Sequence, residues 1–228
     1  MEPKEYEFLS APYLKNFVFI GEAGCGKSEL ALSLALRLKK ETGKEVCLFD
    51  LDMTKPLFRS RDLADFCQER GVDLKYVEQF EDAPTTGGWV DNKMNDPNVY
   101  CVLDVGGDHM GARAIGVYRR LLNSPMTEVY YVVNPYRPWS DTIEHIDAVL
   151  SQILTVSGIG IGKLKMRANP YMGDATTKED IEEGYGRVLG TISSYKAIEA
   201  VMVPEDLVEQ VEVDAPVVTI RKKIIYPW

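Results

Sequence analysis

The sequence contains few of the residues that build disulfide frameworks or metal centres. Among its 228 residues, four are cysteine and two are histidine. The cysteines are widely separated and form no C-x-x-C pair, so the sequence suggests neither a zinc knuckle nor an iron–sulfur site. Unpaired cysteines fit a reducing compartment, and we expect a cytoplasmic protein. The four positions are Cys25, Cys47, Cys67 and Cys101.

The sequence also lacks an excess of positive charge and any long apolar run. Its 26 Lys and Arg residues are outnumbered by 35 Asp and Glu residues, which gives a formal net charge of −9. This balance argues against bulk attraction to nucleic acid or to anionic lipid. No segment approaches the ~20 apolar residues of a membrane span, and the acidic N-terminal segment does not resemble a signal peptide. We therefore expect neither a nucleic acid nor a membrane partner.

Strand-like and helix-like segments alternate along the chain. This alternation predicts an α/β fold of three layers, with a mostly parallel sheet of roughly seven or eight strands and helices on both faces. Strands are predicted at 16–20, 45–50, 74–78, 99–104, 129–133, 163–168, 198–203 and 217–220. Helices are predicted at 27–40, 59–70, 111–122, 139–155, 178–194 and 205–211.

No linker or repeat divides the chain. We predict a single nucleotide-binding domain over residues 1–228, with a core of about 16–212 and short extensions at both ends. Residues 82–98 are rich in Pro, Gly, Thr, Asn and Asp and are predicted to form the longest loop. The glycine-rich stretch 158–163 follows a helix and precedes a strand, so we interpret it as a helix-ending loop.

One motif carries specific chemistry. Residues 21–28 read G-E-A-G-C-G-K-S and fit the phosphate-binding pattern G-x-x-x-x-G-K-[ST], between a predicted strand and a predicted helix. Backbone N–H groups and the positive end of the helix dipole favour phosphate binding there. Lys27 is predicted to reach the β- and γ-phosphates, and the Ser28 hydroxyl to bind Mg²⁺. The predicted contacts are Gly21, Glu22, Ala23, Gly24, Cys25, Gly26, Lys27, Ser28 and Glu29.

Acidic residues follow two further predicted strands. Asp50 and Asp52 lie at the carboxyl end of one strand, where ligands bind in open α/β sheets. One of these acids is predicted to hold a Mg²⁺-bound water and the other to orient the attacking water. Asp104 ends another strand and is predicted to bind Mg²⁺ through water, with Gly106 and Gly107 approaching the γ-phosphate. The predicted catalytic residues are Lys27, Asp50, Asp52 and Asp104, and the predicted metal ligands are Ser28, Asp52 and Asp104.

The segment after Gly107 is predicted to move with the state of the nucleotide. Arg113, within that segment, is a candidate for stabilising charge in the transition state. A plain surface arginine is an equally good interpretation.

Taken together, these motifs resemble the MinD/ParA-like branch of phosphate-loop ATPases, in the SIMIBI class (the CobQ/CobB/MinD/ParA nucleotide-binding domain). The resemblance covers about residues 16–212. It implies an adenine nucleotide, with Asn134 in an N-P loop, Asn169 in a strand-end Asn-Pro that contacts adenine, and Pro204 and Glu205 in a loop closing over the base. It also implies ATP and Mg²⁺ as ligands.

The chain departs from this branch at Glu22, where the branch usually carries a lysine that reaches across an ATP-sandwich dimer. A nucleotide-dependent homodimer is thus one possible assembly, but a carboxylate does not neutralise phosphate in that way. The GTPase signature N-K-x-D is missing. Asn92-Lys93-Met94-Asn95 ends in Asn and precedes the Asp104 strand, so it is interpreted as surface loop.

Several functions are open from the sequence. The first is a slow ATPase that acts as a nucleotide-dependent switch on a protein client, for example in assembling or reactivating a metallo- or corrinoid enzyme. The second is a small-molecule kinase or ATP-dependent ligase of the dethiobiotin-synthetase type, with an acceptor pocket in 82–98. The third is a GTP-dependent metallochaperone, for which His109 is the one histidine near the switches. A nucleotide-binding module without turnover is the fourth.

Overall fold

The structure is a computed structural model that describes residues 4–52, 61–76, 86–107 and 109–220. Its centre is an eight-stranded sheet with the order β3-β2-β4-β1-β5-β6-β7-β8, in which every neighbouring pair is parallel. The strands are β1 (Asn16–Gly21), β2 (Glu45–Leu51), β3 (Val72–Tyr76), β4 (Val99–Val105), β5 (Thr127–Val133), β6 (Leu164–Ala168), β7 (Ile198–Pro204) and β8 (Val217–Ile220).

The helices connect these strands and cover both faces of the sheet. They are α1 (Lys27–Thr42), α2 (Arg61–Glu69), α3 (Thr86–Asn95), α4 (His109–Ala114), α5 (Arg119–Leu122), α6 (Ile143–Ser157) and α7 (Lys178–Ile192). Local sequence sets several ends. Gly43 and Gly158 end α1 and α6 in the left-handed conformation that glycine adopts without strain, and Thr177 begins α7 with a capping box. The helix-ending role of Gly158 agrees with its prediction.

Two hydrophobic cores lie on opposite faces of the sheet. One face is covered by α1, α2 and the N-terminal segment, and its core includes Phe17, Phe19 and Leu30. The other is covered by α3 to α7 and includes Val18, Ile20 and Met94. Central strands such as β4 and β5 are buried along their whole length, as expected of parallel strands covered on both faces. The predicted three-layer α/β fold is confirmed.

Three predicted segments are wrong in detail. Residues 86–95, predicted as loop, form α3, because Val90 and Met94 lie one helical turn apart and pack into the core. Residues 111–122, predicted as one helix, form α4, a 3₁₀ turn and α5. Residues 205–211, predicted as helix, form successive turns that follow Pro204.

Other boundaries differ by a few residues. The helix predicted at 139–155 begins only at Ile143, because Thr142 caps it through the N–H of His145. Residues 82–85 of the predicted loop and Asp108 of the predicted switch lie outside the described residues.

Because all strands are parallel, their carboxyl ends lie at one edge of the sheet. The segments that follow β1, β2, β4, β5 and β6 therefore meet there. Within the part of the chain that the structure describes, no helix is both long and apolar enough to cross a bilayer.

Candidate nucleotide-binding site

The loop between β1 and α1 has the curled backbone of a phosphate cradle. Gly21, Gly24 and Gly26 have φ angles of 142°, 76° and 92°, which L side chains rarely adopt. Gly26 is the N-cap of α1, so the loop runs directly into the positive end of the helix dipole. Three glycines in this conformation leave room for an anion to approach the backbone N–H groups.

Lys27 is folded over the inside of this loop. Its Nζ donates to the carbonyl oxygens of Gly21 at 3.2 Å and Glu22 at 2.8 Å, and the side chain is only 1% exposed. Ser28 and Glu29 are buried beside it in the first turn of α1. The ammonium group is thus held at the loop and within reach of an anion bound there, as the motif predicts.

The three predicted carboxylates lie together at the ends of adjacent strands. Asp50 of β2 and Asp104 of β4 are register partners, and Asp52 follows β2 by one residue. All three are buried, and the exposed fraction of Asp104 is 1%. The Asp50 carboxylate accepts the backbone N–H of Asp52 at 3.0 Å, so Asp50 fixes the turn that presents Asp52. Buried carboxylates and a hydroxyl are the hard oxygen donors that Mg²⁺ prefers.

The predicted switch after β4 packs tightly around these groups. A Cβ placed on Gly106 would lie 3.3 Å from Oδ1 of Asp52 and 2.9 Å from the Cα of Gly111. A Cβ placed on Gly107 would lie 2.4 Å from the backbone of Ala23. The two glycines therefore bring the backbone of the β4–α4 segment against both the Asp52 carboxylate and the phosphate loop.

Glu22 makes contacts that the sequence did not suggest. Its carboxylate accepts the backbone N–H of Trp139 at 3.1 Å and the hydroxyl of Ser140 at 2.7 Å. Charge-assisted hydrogen bonds of this kind are stronger than neutral ones. The side chain therefore ties the phosphate loop to the segment between β5 and α6.

That segment places an arginine on the phosphate loop. The Nε of Arg137 donates to the carbonyl oxygen of Gly24 at 3.0 Å, and a Cβ on Gly24 would lie 3.3 Å from the Cζ of Arg137. No motif marks Arg137 in the sequence. Arg113, the candidate charge-stabilising residue, is exposed at the end of α4, which fits its alternative interpretation as a surface arginine.

Asn134 and Asn169 fasten the ends of β5 and β6. The amide of Asn134 donates to the carbonyl oxygen of Tyr171 at 2.8 Å and accepts the N–H of Tyr136 at 3.0 Å. The amide of Asn169 donates to the carbonyl oxygen of Cys25 at 2.7 Å, so it contacts the phosphate loop directly. The predicted adenine contact of Asn169 stays a prediction, and its visible role is to brace the loop.

Pro204 and Glu205 lie further along the same edge. Pro204 ends β7, and the N–H of Glu205 donates to the carbonyl oxygen of Ile220 at 3.0 Å. Glu205 lines a groove of about 850 Å³ that runs beside α1, together with Ser33 and Arg37. The predicted base-closing segment therefore borders a groove next to the helix that carries the phosphate loop.

The cysteines are buried and form no disulfide. Burial, with a further contribution from Asp73, raises the pKa of the Cys47 thiol to about 12. Burial also raises the pKa of Cys67 to about 11 and raises the pKa of Cys101. Cys47 and Cys101 are core thiols, as interpreted from the sequence, while the thiol of Cys25 lies 3.8 Å from the Nζ of Lys27 inside the phosphate loop.

Solved structures share this fold. The signal recognition particle receptor FtsY from Elizabethkingia anophelis in complex with GDP matches 93% of this chain and 65% of its own, with a TM-score of 0.56 and 15% identity. FtsY from Thermotoga maritima matches 92% of this chain and 67% of its own, with a TM-score of 0.54 and 15% identity. FlhF complexed with GTP and Mg²⁺ matches 81% of this chain and 63% of its own, with a TM-score of 0.50 and 16% identity.

What this chain shares with these solved structures is the fold. The chain spans about two thirds of the length of the structures it matches, and identities of 15–16% carry the fold alone. No family model and no curated protein matches the sequence. These neighbours confirm the predicted α/β phosphate-loop fold, while the MinD/ParA-like branch stays a prediction. The chain therefore has the α/β phosphate-loop NTPase fold that these FtsY and FlhF structures share.

Proposed function

We propose that this protein is a Mg²⁺-dependent ATPase that switches conformation with its nucleotide and acts on a protein partner. The observation that carries the proposal is the junction of three elements at one edge of the sheet. The glycine switch after β4 packs against the curled phosphate loop at Ala23 and against the buried Asp52 that follows β2, next to Asp50 and Asp104 at the ends of β2 and β4. A nucleotide bound on the loop would touch all three.

The residues divide the chemistry of hydrolysis among them. A water oxygen bonds to the γ-phosphorus, and the bond from that phosphorus to the β–γ bridging oxygen breaks. The nucleoside diphosphate then leaves with the bonding electrons, and the proton of the water passes to phosphate or solvent. Asp52 lies beside Gly106 and orients the water, while Lys27 neutralises phosphate oxygens. Ser28 and Asp104 would hold Mg²⁺, which supplies further positive charge to the phosphates.

Switching follows from the packing of Gly106 and Gly107. A γ-phosphate on the loop competes for the space that the β4–α4 segment occupies against Ala23. Binding and hydrolysis would therefore shift α4, which packs against α6. Met110 and Val117, in and after α4, are 58% and 76% exposed, and Trp139 ahead of α6 is 53% exposed. Exposed apolar residues on a moving element support a protein partner that reads the nucleotide state.

GTP is the second candidate nucleotide, because the FlhF structure was solved with GTP and Mg²⁺ and one FtsY structure with GDP. The carboxylates of Glu205 and Asp206 at the end of β7 would suit the N1–H and amino group of guanine. The missing N-K-x-D signature supports adenine, as does the resemblance that places an adenine contact at Asn169.

The kinase or ligase hypothesis and the metallochaperone hypothesis gain no support from the described residues. Two residues of the suggested acceptor pocket are engaged elsewhere, since Trp89 packs against Phe49 with ring centroids 5.4 Å apart and Lys93 pairs with Glu45.

A metallochaperone needs metal-binding side chains near the switches. Among the described residues, the one group of side chains close enough to share a metal ion is Glu45, Cys47 and Asp73. It lies toward the amino ends of β2 and β3, at the opposite edge from the switches.

Calorimetry with ATP, GTP, ADP and GDP, with and without Mg²⁺, tests this proposal. We expect tighter binding of ATP than GTP, weaker binding without Mg²⁺, and loss of binding in Lys27→Ala. Lys44→Ala, which removes an exposed lysine just beyond α1, is the matched control. Wild-type nucleotide affinity in Lys27→Ala would overturn the site, and preference for GTP would overturn the choice of base. Size-exclusion chromatography of the same samples would show whether ATP drives dimerisation.

A further inference from the structure

We infer that Arg137 supplies positive charge in cis to the nucleotide phosphates, and that Glu22 is the residue that positions it. This inference rests on the proposed function and names a charge-stabilising residue for it. It also explains why Glu22, a negatively charged residue, lies in a loop that binds phosphate.

The first step is the location of Arg137. Its guanidinium lies over Gly24, with Nε on the Gly24 carbonyl oxygen and Nη2 3.6 Å from where a Cβ of Gly24 would lie. Gly24 is the middle glycine of the phosphate loop. A guanidinium in contact with the loop can reach a phosphate that the loop holds, because its Nη groups donate no hydrogen bond within the described residues.

The second step is the charge of Arg137. Three arginines of the described chain are bound to carboxylates, namely Arg37 to Glu5 and Glu41, Arg70 to Glu69, and Arg187 to Glu183. The exposed Arg113, Arg119 and Arg120 form no ion pair with a described residue, and Arg137 is of this second kind. Across the described ranges, no carboxylate lies within 4 Å of the Arg137 guanidinium. Its positive charge is therefore not neutralised by an ion pair, at the entrance of a site for an anion.

The third step is the way in which Arg137 is held. The N–H of Arg137 donates to the Asn134 carbonyl oxygen at 3.0 Å, and the N–H of Ser140 donates to the Arg137 carbonyl oxygen at 3.0 Å. Two consecutive turns thus set the backbone of this segment between β5 and α6. Glu22 closes the arrangement, because its two carboxylate oxygens bind Trp139 and Ser140.

The position of Glu22 then has a physical explanation. Its carboxylate is turned into the 134–142 segment and is 7% exposed. Both oxygens accept hydrogen bonds there, so its charge is used to fix a turn. The same turn places the Arg137 guanidinium on Gly24, which lies two residues after Glu22 in the loop. Glu22 is a positioning residue, and Arg137 is the group that faces the phosphates.

Stabilisation of the transition state distinguishes this role from a brace on the loop. Charge builds up on the phosphoryl oxygens and the leaving oxygen during hydrolysis, and an arginine beside them contributes roughly 10³–10⁵-fold to kcat in enzymes that use one. A brace would instead affect every nucleotide equally. The test must therefore compare a ground-state ligand with an analogue of the transition state.

The experiment measures binding of Mg-ADP and of Mg-ADP with aluminium fluoride by calorimetry, together with kcat for ATP. Arg137→Ala is expected to lower affinity for the fluoride complex by at least tenfold and kcat by roughly 100-fold or more, with ADP affinity within about threefold of wild type. Arg137→Lys keeps the positive charge but lacks the planar guanidinium, so its kcat and its affinity for the fluoride complex should lie between those of wild type and Arg137→Ala. Arg70→Ala, at an exposed ion-paired arginine, should behave as wild type.

Glu22→Gln tests the positioning role. The amide keeps the size of the carboxylate but accepts only through one oxygen, so we expect the same selective loss for the fluoride complex, at smaller amplitude. In the double variant Glu22→Gln/Arg137→Ala, the loss of affinity for the fluoride complex should be little greater than in Arg137→Ala alone, because both substitutions act through the Arg137 guanidinium. If the two effects multiplied, Glu22 would not act through Arg137.

The outcomes separate this inference from the proposed function. If Arg137→Ala bound the fluoride complex and turned over ATP like wild type, or lost ADP and the fluoride complex equally, the inference would be wrong and the proposed function would stand. If the wild-type protein bound no nucleotide, both would fail. Thermal unfolding of each variant identifies any that do not fold, and Arg137→Lys and Glu22→Gln keep the test decisive if Arg137→Ala is one of them.

Discussion

Gly107 lies directly against Ala23, with no room for a side chain between the switch and the phosphate loop. A Cβ on Gly107 would lie 2.4 Å from both the Cα and the N of Ala23 and 2.9 Å from its Cβ. On the other side of the same turn, Gly106 packs equally closely against Gly111 of α4. This turn connects the site to α4.

Gly107→Ala is expected to push the switch away from the phosphate loop. The added methyl meets backbone atoms that cannot move aside, and overpacking of this kind costs about 1–3 kcal/mol. We expect thermal unfolding a few degrees lower and hydrolysis of ATP at least about tenfold slower, with ADP still bound. Gly162→Ala, where a Cβ would meet nothing within 4 Å, is the control. Wild-type turnover in Gly107→Ala would contradict the contact.

Gly26→Ala tests the contact between the phosphate loop and Asn169. Gly26 has a φ of 92°, and its Cβ would lie 2.2 Å from the Nδ2 of Asn169. Gly43 has a similar φ of 67° with nothing within 4 Å, so Gly43→Ala carries the backbone strain without the collision. That strain is roughly 1–2 kcal/mol. Urea unfolding should show a larger loss of stability for Gly26→Ala than for Gly43→Ala.

The double variant Gly26→Ala/Asn169→Ala completes this comparison. Removing the Asn169 amide relieves the collision, so the double variant should be more stable than the two single effects predict by addition. Simple additivity would mean that Asn169 does not lie over Gly26. Calorimetry on the same proteins would report whether nucleotide affinity follows stability.

The sequence predicts those parts of this site that depend on local rules. The strand–loop–helix order around Lys27 and the acids that end β2 and β4 follow from apolar runs, glycine placement and parallel topology. The same rules failed at α3, where Gly87, Gly88 and the Asn residues suggested a loop while Val90 and Met94 carried the helical spacing. Weak local propensity there is overridden by burial.

Contacts between distant segments were not predictable. Glu22 and Ser140 are 118 residues apart, and Gly24 and Arg137 are 113 apart. No periodicity or motif links such pairs, since they meet only because β1 and β5 are neighbours in the sheet. The sequence therefore offered Arg113 as a candidate charge-stabilising arginine, because it follows the switch glycines, with a plain surface arginine as the alternative. The fold brings Arg137 to the loop instead.

The thiols provide a test of the core. All four cysteines are buried, and the raised pKa values of Cys47, at about 12, and Cys67, at about 11, disfavour the reactive thiolate. We expect no rapid reaction of the native protein with Ellman's reagent at pH 8 and four reactive thiols in guanidinium chloride. Fast labelling of Cys47, located by mass spectrometry, would contradict the packing of β2 between β3 and β4.

His145 and Asp141 give a prediction about pH at the start of α6. The Nδ1 of His145 lies 2.6 Å from the Asp141 carboxylate, which raises the pKa of His145 above 6.5, while the same contact lowers the pKa of Asp141 below 3.8. The raised histidine pKa stabilises the fold fully below pH 6.5, and this contribution is lost as pH rises through the raised value. The lowered aspartate pKa stabilises it above pH 3.8, and this contribution is lost as pH falls through the lowered value.

The pair therefore contributes most between about pH 3.8 and 6.5, and only modestly because both groups are exposed. Asp141→Asn should move the pKa of the His145 ring downward, toward 6.5, in an NMR titration. Because the His145 ring packs against Trp139 with centroids 4.9 Å apart, the titration should also appear in Trp139 fluorescence. An unchanged His145 pKa in Asp141→Asn would show that the two side chains are not paired in solution.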